Sequence, residues 1–387
     1  MQPLNRRNNL FLSSRIREMT ILANEHKAIN LAQGFPEFAP PEKLTQTLEK
    51  ISTEKVHQYA PNWGISELRE KIAEKQSRSF GFTIDPLTEV LVTCGSTEAM
   101  ISCQMALFNE GEKVAIFSPY YNSYEANALM TGVSPVFINL DPPDFKLDLN
   151  RVEDALKQGV KALILCNPAN PEGKVFTRDE LLEIAALAEK YDIYVITDEV
   201  YEHIIFEPHV HINFASLPGM FERTLTCSSL SKTYSVTGWR LGYVTGPENL
   251  ISEVRKYHDF FTVCAPTPLQ TAAVTALGFD SEYYDELVSI YTQKRKILTE
   301  GLDDIGIRHT TPQGSYFVLA DISEFGYESD VDFAHFLVEK YGIAGVPGSC
   351  FFADRRNDYI RFHFAKNDVT LYQVLERLER LKKRKPL

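Results

Sequence analysis

Seven short runs of β-branched and apolar residues recur between residues 90 and 244, separated by stretches of helical periodicity. This alternation constrains the fold more than any other feature of the chain. The runs cover residues 90–93, 114–117, 135–138, 162–165, 194–197, 224–227 and 241–244. Several are apolar almost throughout, as strands are when helices cover both faces of a parallel sheet. Between the fourth and fifth runs, Thr177 and Glu180 form a Thr-x-x-Glu capping box. Leu181, Leu182, Ala185, Leu187 and Ala188 come after it as the apolar face of a helix. The pattern predicts an α/β fold: a large, doubly wound, mostly parallel seven-stranded sheet domain over residues 43–285. From about residue 290 it changes to helix, then strands near 314–319 and 359–364, then a final helix. A smaller α+β domain is therefore expected from residues 1–42 and 286–387.

The residues directly behind the strands are polar or aromatic. Gly95-Ser96-Thr97-Glu98 comes after the first, Tyr120-Tyr121 after the second and Asn167-Pro168-Ala169-Asn170-Pro171 after the fourth. Asp198-Glu199-Val200-Tyr201 comes after the fifth, and Ser228-Ser229-Leu230-Ser231-Lys232 after the sixth. Ligands of open α/β sheets bind outside the carboxyl ends of the strands. Five strands that deliver such groups to one edge predict a single site there.

The residue types suggest its chemistry. Lys232 stands among hydroxyls directly behind a strand, with Gly238 and Arg240 shortly after. A lysine that forms a Schiff base needs such a place, partly desolvated and close to a bound anion. Gly95-Ser96-Thr97, opening a helix near Glu98, reads either as a plain helix cap or as a phosphate cradle of backbone N–H groups. Ser229 and Arg240 could add a hydroxyl and a guanidinium to that phosphate. Asp198, at the end of an apolar strand, either caps the next turn or pairs with a ring nitrogen. Tyr201 and Asn170 could reach a ring oxygen, and Tyr121 could stack on a flat ring. Arg361 lies in the alternating strand Tyr359-Ile360-Arg361-Phe362-His363-Phe364, where it serves an interdomain salt bridge or binds a substrate carboxylate.

Charge and cysteine content narrow the remaining classes. The chain of 387 residues has 40 Lys and Arg against 52 Asp and Glu, a net −12, which argues against nucleic acid or an anionic membrane as main partner. The basic run from Arg377 to Lys385 reads as the polar end of a C-terminal amphipathic helix. Six scattered cysteines without a CxxC pair or a metal-like cluster imply a reduced, cytoplasmic protein and no metal. No signal core comes after Met1-Gln2-Pro3, and no apolar run approaches a membrane span.

Taken together, Asn167-Pro168-Ala169-Asn170-Pro171-Glu172-Gly173, Asp198-Glu199-Val200-Tyr201, Ser229-Leu230-Ser231-Lys232 and Gly238-Trp239-Arg240-Leu241-Gly242 resemble the class I/II aminotransferases. These are pyridoxal 5'-phosphate (PLP) enzymes of fold type I. The resemblance runs from Asn30-Leu31-Ala32-Gln33-Gly34-Phe35-Pro36 to Arg361. Gln33-Gly34-Phe35-Pro36, Gln58-Tyr59-Ala60-Pro61 and Lys232-Thr233-Tyr234 are most similar to the branch of kynurenine aminotransferases (glutamine transaminase K) and methionine aminotransferases. The resemblance implies that Lys232 attaches the cofactor and then moves the substrate proton, and that Asp198 holds the pyridine nitrogen protonated. Tyr201 and Asn170 would bond the ring oxygen, Tyr121 would stack on the ring, and Ser96, Thr97, Ser229 and Arg240 would hold the phosphate. Arg240 stands where that branch often has lysine. Tyr59 would reach the phosphate from a partner subunit, which implies a homodimer, and Gly34, Asn170 and Arg361 would meet the substrate.

The expected reaction is a ping-pong transfer of an amino group from an aromatic or sulfur-containing amino acid (kynurenine, methionine, glutamine or phenylalanine type) to a 2-oxo acid. A PLP-dependent C–S β-lyase acting on cysteine conjugates is the alternative, and a non-catalytic PLP-binding regulator a more distant one. Phe35, Phe38, Tyr59, Trp63, Tyr124 and Tyr316 are expected to line the substrate pocket.

Overall fold

The computed structural model describes residues 4–10 and 14–383, so Met1-Gln2-Pro3 and the last two basic residues of the tail, Arg384 and Lys385, lie outside the described residues. Its strands are β1 (Ile29–Asn30), β2 (Val90–Thr93), β3 (Lys113–Ser118), β4 (Ser134–Asn139), β5 (Ala162–Cys166), β6 (Tyr194–Asp198), β7 (Thr224–Ser229), β8 (Gly242–Thr245), β9 (Phe317–Asp321), β10 (Ile343–Ala344), β11 (Val346–Pro347) and β12 (Tyr359–His363). Seven of them form one sheet in the order β2-β8-β7-β6-β5-β3-β4, and only β8 runs antiparallel to its neighbours. The predicted mostly parallel α/β sheet is therefore present, each predicted run falling on a strand.

Period-two geometry explains why strands such as β3 and β5 are apolar almost throughout. Val114 and Ile116 of β3, with Ala162 and Ile164 of β5, join one core beneath the helices Ser96–Leu107 and Glu248–Phe261. Ala115, Phe117, Leu163 and Leu165 point the other way, into a second core with the helices Leu149–Leu156 and Arg178–Lys190. Both faces are covered, so no polar face is needed. The edge strand β4 is the exception, with Ser134 and Asn139 exposed. Thr177 caps the helix Arg178–Lys190 as predicted: its hydroxyl accepts the Glu180 N–H at 3.2 Å, and Glu180 accepts the Thr177 N–H at 2.9 Å.

Two smaller sheets complete the fold. β11, β12 and β9 pair antiparallel, and β1 pairs parallel with β10. The second of these ties the start of the chain to its end, and backbone bonds from Leu31 to Ala344 and from His363 to Leu31 extend the tie. β9 begins three residues later than the pattern at 314–319 suggests. The N–H of Gly314 bonds Gly173 and that of Ser315 bonds Ile204, so this stretch is drawn away from the ladder. No helix of the described residues is long and apolar enough to cross a membrane.

Under the sheet lies a buried ion pair that the sequence pattern does not reveal. Lys75, on the helix Ser66–Phe80, meets Glu202 at 2.6 Å, and Glu202 also accepts from Ser228 at 2.7 Å and Tyr243 at 3.3 Å. It ties that helix to β7, β8 and the loop after β6. Burial alone would raise the Glu202 carboxyl, but the charges of Lys75 and its neighbours prevail and hold it down at about 2. A carboxyl lowered in the fold contributes stability above its ordinary value near 4.5 and loses that contribution as pH falls toward 2. Lys75→Met should therefore cost about 3–5 kcal/mol near neutral pH, because an unpaired charge is left buried. Denaturant unfolding at several pH values would show that gap narrowing below about pH 4.5.

Candidate active site

Beyond the carboxyl ends of β3, β5, β6 and β7 opens a cavity of about 1040 Å³. Gly34, Ser96, Thr97, Tyr121, Asn170, Asp198, Tyr201, Ser229, Lys232, Arg240 and Arg361 all line it. These are the residues expected to hold cofactor and substrate, with one exception: Tyr59 is 81% exposed and lies away from the cavity of its own chain.

One end of the cavity is built for an anion. Ser96 and Thr97 open the helix Ser96–Leu107, and no side chain caps its first turn, so its N–H groups are free to face a ligand. Gly95 precedes them at φ 80°, where a Cβ would collide with the Arg240 guanidinium. Arg240 is itself in the left-handed region at φ 53° and donates to the Thr237 carbonyl at 2.9 Å. The buried Ser229 hydroxyl accepts the Ser231 N–H at 3.3 Å.

At the cavity floor Asp198 accepts a hydrogen bond from the Tyr124 hydroxyl at 2.6 Å, while its second oxygen, Oδ1, is buried without a partner. Burial raises the carboxyl above its ordinary value, against the opposing pull of Tyr124, the Val200 N–H and Lys232. An orphaned carboxylate oxygen is costly unless a ligand donor completes it. Tyr121 stands edge-on to Tyr124, with ring centroids 5.8 Å apart.

Lys232 projects between these two ends. Its Nζ donates to the Gly34 carbonyl at 3.1 Å and lies 5.9 and 5.8 Å from the ring centroids of Tyr201 and Tyr316. Burial, with Tyr316 close by, pushes the Tyr201 phenol well above its ordinary value, so it stays a proton donor. Tyr316 also donates to the Gly34 carbonyl, at 2.8 Å, and a Cβ on Gly34 would come within 2.7 Å of the Phe317 ring.

Arg361 forms the third corner. It is 1% exposed, and its donors reach Asn170 Oδ1 at 2.8 Å and the Ala32 carbonyl at 2.7 Å. Its Nε has no partner, and the guanidinium is sandwiched between Phe317 and Phe351 at 4.2 and 4.6 Å. No carboxylate of the described residues forms an ion pair with it. Among the described residues the salt bridge open at the sequence level is thus absent, and a buried cation is left facing the cavity.

The aromatic lining is corrected in part. Phe35 and Tyr124 line the cavity, whereas Phe38 packs on Tyr291 and Trp63 lies against the Arg255 guanidinium at 4.0 Å. Tyr316 is fully buried beside Gly34 rather than on the wall. Sequence reasoning passed over Phe317, Cys166 and the bond from Tyr124 to Asp198. The only hint of that bond was an aromatic three residues after Tyr121, since Tyr124 and Asp198 stand 74 positions apart.

Residues 26–378 match the family model for aminotransferase class I and II. The chain belongs to this family. It is 36% identical to the methionine aminotransferase of Escherichia coli (strain K12) over 94% of this chain and 95% of that one. It is 34% identical to the kynurenine–oxoglutarate transaminase 1 of Mus musculus over 93% of each. The solved structure of N-succinyldiaminopimelate aminotransferase from Mycobacterium tuberculosis superposes with a TM-score of 0.94 at 36% identity, covering 98% of this chain and all of that one. The aminotransferase is accordingly a fold type I transaminase that uses PLP.

The cavity fits that cofactor: an uncapped helix start and a guanidinium for the phosphate, an amine for the aldehyde, and an orphaned carboxylate oxygen for the ring nitrogen. Among the described residues no group of three or more His, Cys, Asp or Glu side chains is arranged to hold a metal ion. Tyr124→Phe should lower stability by about 1.5–3 kcal/mol, the worth of a hydrogen bond to a buried carboxylate. Denaturant midpoints of the cofactor-free proteins would measure it.

Proposed function

We propose that this aminotransferase takes its amino group from an apolar, aromatic or sulfur-containing amino acid of the kynurenine, methionine, glutamine or phenylalanine type and passes it to a 2-oxo acid by a ping-pong cycle. The observation that carries this reading is one cavity holding a lysine amine, an orphaned Asp198 oxygen and a buried Arg361 with no carboxylate partner among the described residues. Apolar walls at Ile16, Phe35, Tyr124 and Phe317 favour side chains of that kind, and the names of the methionine and kynurenine relatives point the same way.

In this reading PLP, when bound, supplies the electron sink that makes loss of a substrate Cα proton feasible. Asp198 would hold the pyridine nitrogen protonated, because its orphaned oxygen on the floor of a desolvated pocket is completed by an N–H donor. Tyr201 and Asn170 would bond the ring oxygen, Tyr121 would stack on the ring, and Ser96, Thr97, Ser229 and Arg240 would hold the phosphate. Arg361, with Asn170 and the main chain at Gly34, grips the α-carboxylate through a planar, bidentate fork. That grip would set the substrate Cα beside the Lys232 amine, which is placed to act as general base for its proton.

The same proposal includes a homodimer in which Tyr59 reaches the partner's phosphate. Tyr59, Trp63, Phe260 (92% exposed), Phe261 and Val263 are large apolar residues left on the surface, where a second copy would cover them. It also includes a cytoplasmic location, supported by six cysteines that are all free thiols. It divides the chain into a large unit over 43–285, which holds the whole seven-stranded sheet, and a small one made of 1–42 and 286–387, which holds β1 and β9–β12.

Absorbance scans of the cofactor-loaded protein against a panel of amino acids should show the cofactor band changing first with aromatic and sulfur-containing donors. A panel led by small or acidic amino acids would overturn the donor class, and pyruvate released from a cysteine conjugate would reveal elimination. Lys232→Ala should abolish turnover. Arg361→Lys should raise KM for the amino acid by about 10- to 100-fold, as expected when one hydrogen bond to a charged group is lost. Steady-state kinetics measures both.

A further inference from the structure

Glu98 and His258 are buried side by side just below the anion end of the cavity, and neither lines it. Glu98 lies in the first turn of the helix whose start faces the cavity. Its Oε2 accepts the Cys94 N–H at 2.9 Å and its Oε1 accepts the Ser102 hydroxyl at 2.7 Å. His258, on the helix Glu248–Phe261, places Nδ1 3.1 Å from both carboxylate oxygens and Nε2 2.7 Å from the Asn62 carbonyl.

Both ring nitrogens therefore face acceptors, and Nδ1 also has the Thr262 hydroxyl at 3.3 Å. A carbonyl can only accept, so Nε2 carries a proton, and a proton on Nδ1 as well makes its contact with Glu98 a hydrogen bond rather than a meeting of lone pairs. The arrangement is an imidazolium–carboxylate pair. Burial would lower the His258 value, but the hydrogen bond and charge of Glu98, with the Asn62 carbonyl and Asp259, outweigh it and raise it.

The pair solves an electrostatic problem. A helix N-terminus attracts a phosphate, yet a bare carboxylate in that first turn would repel it at short range, in a medium that screens poorly. Paired with His258, Glu98 brings no net charge and still fixes the Cys94–Gly95 segment by taking the Cys94 N–H. The other end of the pair holds Asn62, within the segment 58–63, which is also tied at Gln58 by the Thr267 hydroxyl at 2.7 Å.

We propose that Glu98 and His258 are positioning residues for the cofactor phosphate, neutralising and fixing the Gly95-Ser96-Thr97 cradle and linking it to the segment that carries Tyr59. The proposal rests on the reading of that cradle as the phosphate site.

The test is to titrate the cofactor-free protein with PLP and, separately, with pyridoxal, which lacks the phosphate, and to follow binding by absorbance. His258→Gln should weaken PLP by about 10- to 100-fold, the worth of one charge-assisted hydrogen bond, and leave pyridoxal unchanged within about twofold. Glu98→Gln keeps an acceptor for Cys94 and serves as a second, milder probe, with a smaller loss again confined to PLP. The double variant Glu98→Gln/His258→Gln, which leaves no unpaired carboxylate, should bind PLP more tightly than His258→Gln alone. Equal losses for both ligands, no loss for PLP, or additive losses in the double variant would overturn the proposal. A wild-type protein with no preference for PLP over pyridoxal would overturn the phosphate reading along with it.

Discussion

The structure depends on one constraint, that both faces of a mostly parallel sheet are buried at once. Along β3, β5, β6 and β7 nearly every side chain is buried against the helices, and the backbone polar groups are consumed by the ladder. Chemistry can appear only where the ladder stops. That is why Tyr121, Asn170, Asp198 and Lys232, far apart in the chain, come at or just after strand ends and face one cavity. Reversal of the single strand β8 returns the chain so that Arg240 comes up against Gly95 at the start of the neighbouring helix.

Buried charge is handled in two opposite ways. Around the cavity it is left incomplete: Asp198 keeps an oxygen without a partner, and Arg361 has no carboxylate partner among the described residues. Just behind the wall it is completed. Lys75 and Glu202 neutralise one another beneath β7 and β8, and Glu98 and His258 pair beneath the uncapped helix start. Unpaired groups inside a low-dielectric protein are unfavourable, so their concentration on one surface marks where a ligand of complementary charge belongs. The paired groups make that surface rigid, since each ties two or more elements together through bonds that water does not replace.

Much of this was legible in the chain. The runs that became β2 to β8 carry their own period, Thr177 and Glu180 announce their helix, and Asp198, Lys232 and Arg361 stand where an apolar pattern breaks. Local rules of burial and capping act over a few residues, so they leave a trace in the sequence. Trp63 and Phe38 show the limit. Both are aromatics in suggestive segments, yet Trp63 is held by Arg255 and Phe38 by Tyr291. An aromatic packs on whatever surface the fold brings to it, and its neighbours in sequence do not say which.

The sequence alone determined the element types, the sheet class and the set of residues able to do chemistry, because each depends on periodicity or on residue type at a strand end. Tertiary structure decided which of them meet. The pairing of β1 with β10 carries Gly34 to Lys232, and the Tyr124 hydroxyl finds Asp198 across 74 positions. His258 reaches Glu98 across 160 positions, and Lys75 reaches Glu202 across 127. Such pairs form through space between elements whose order in the sheet no local pattern encodes, and charge complementarity acts only once the fold has brought them within bonding distance.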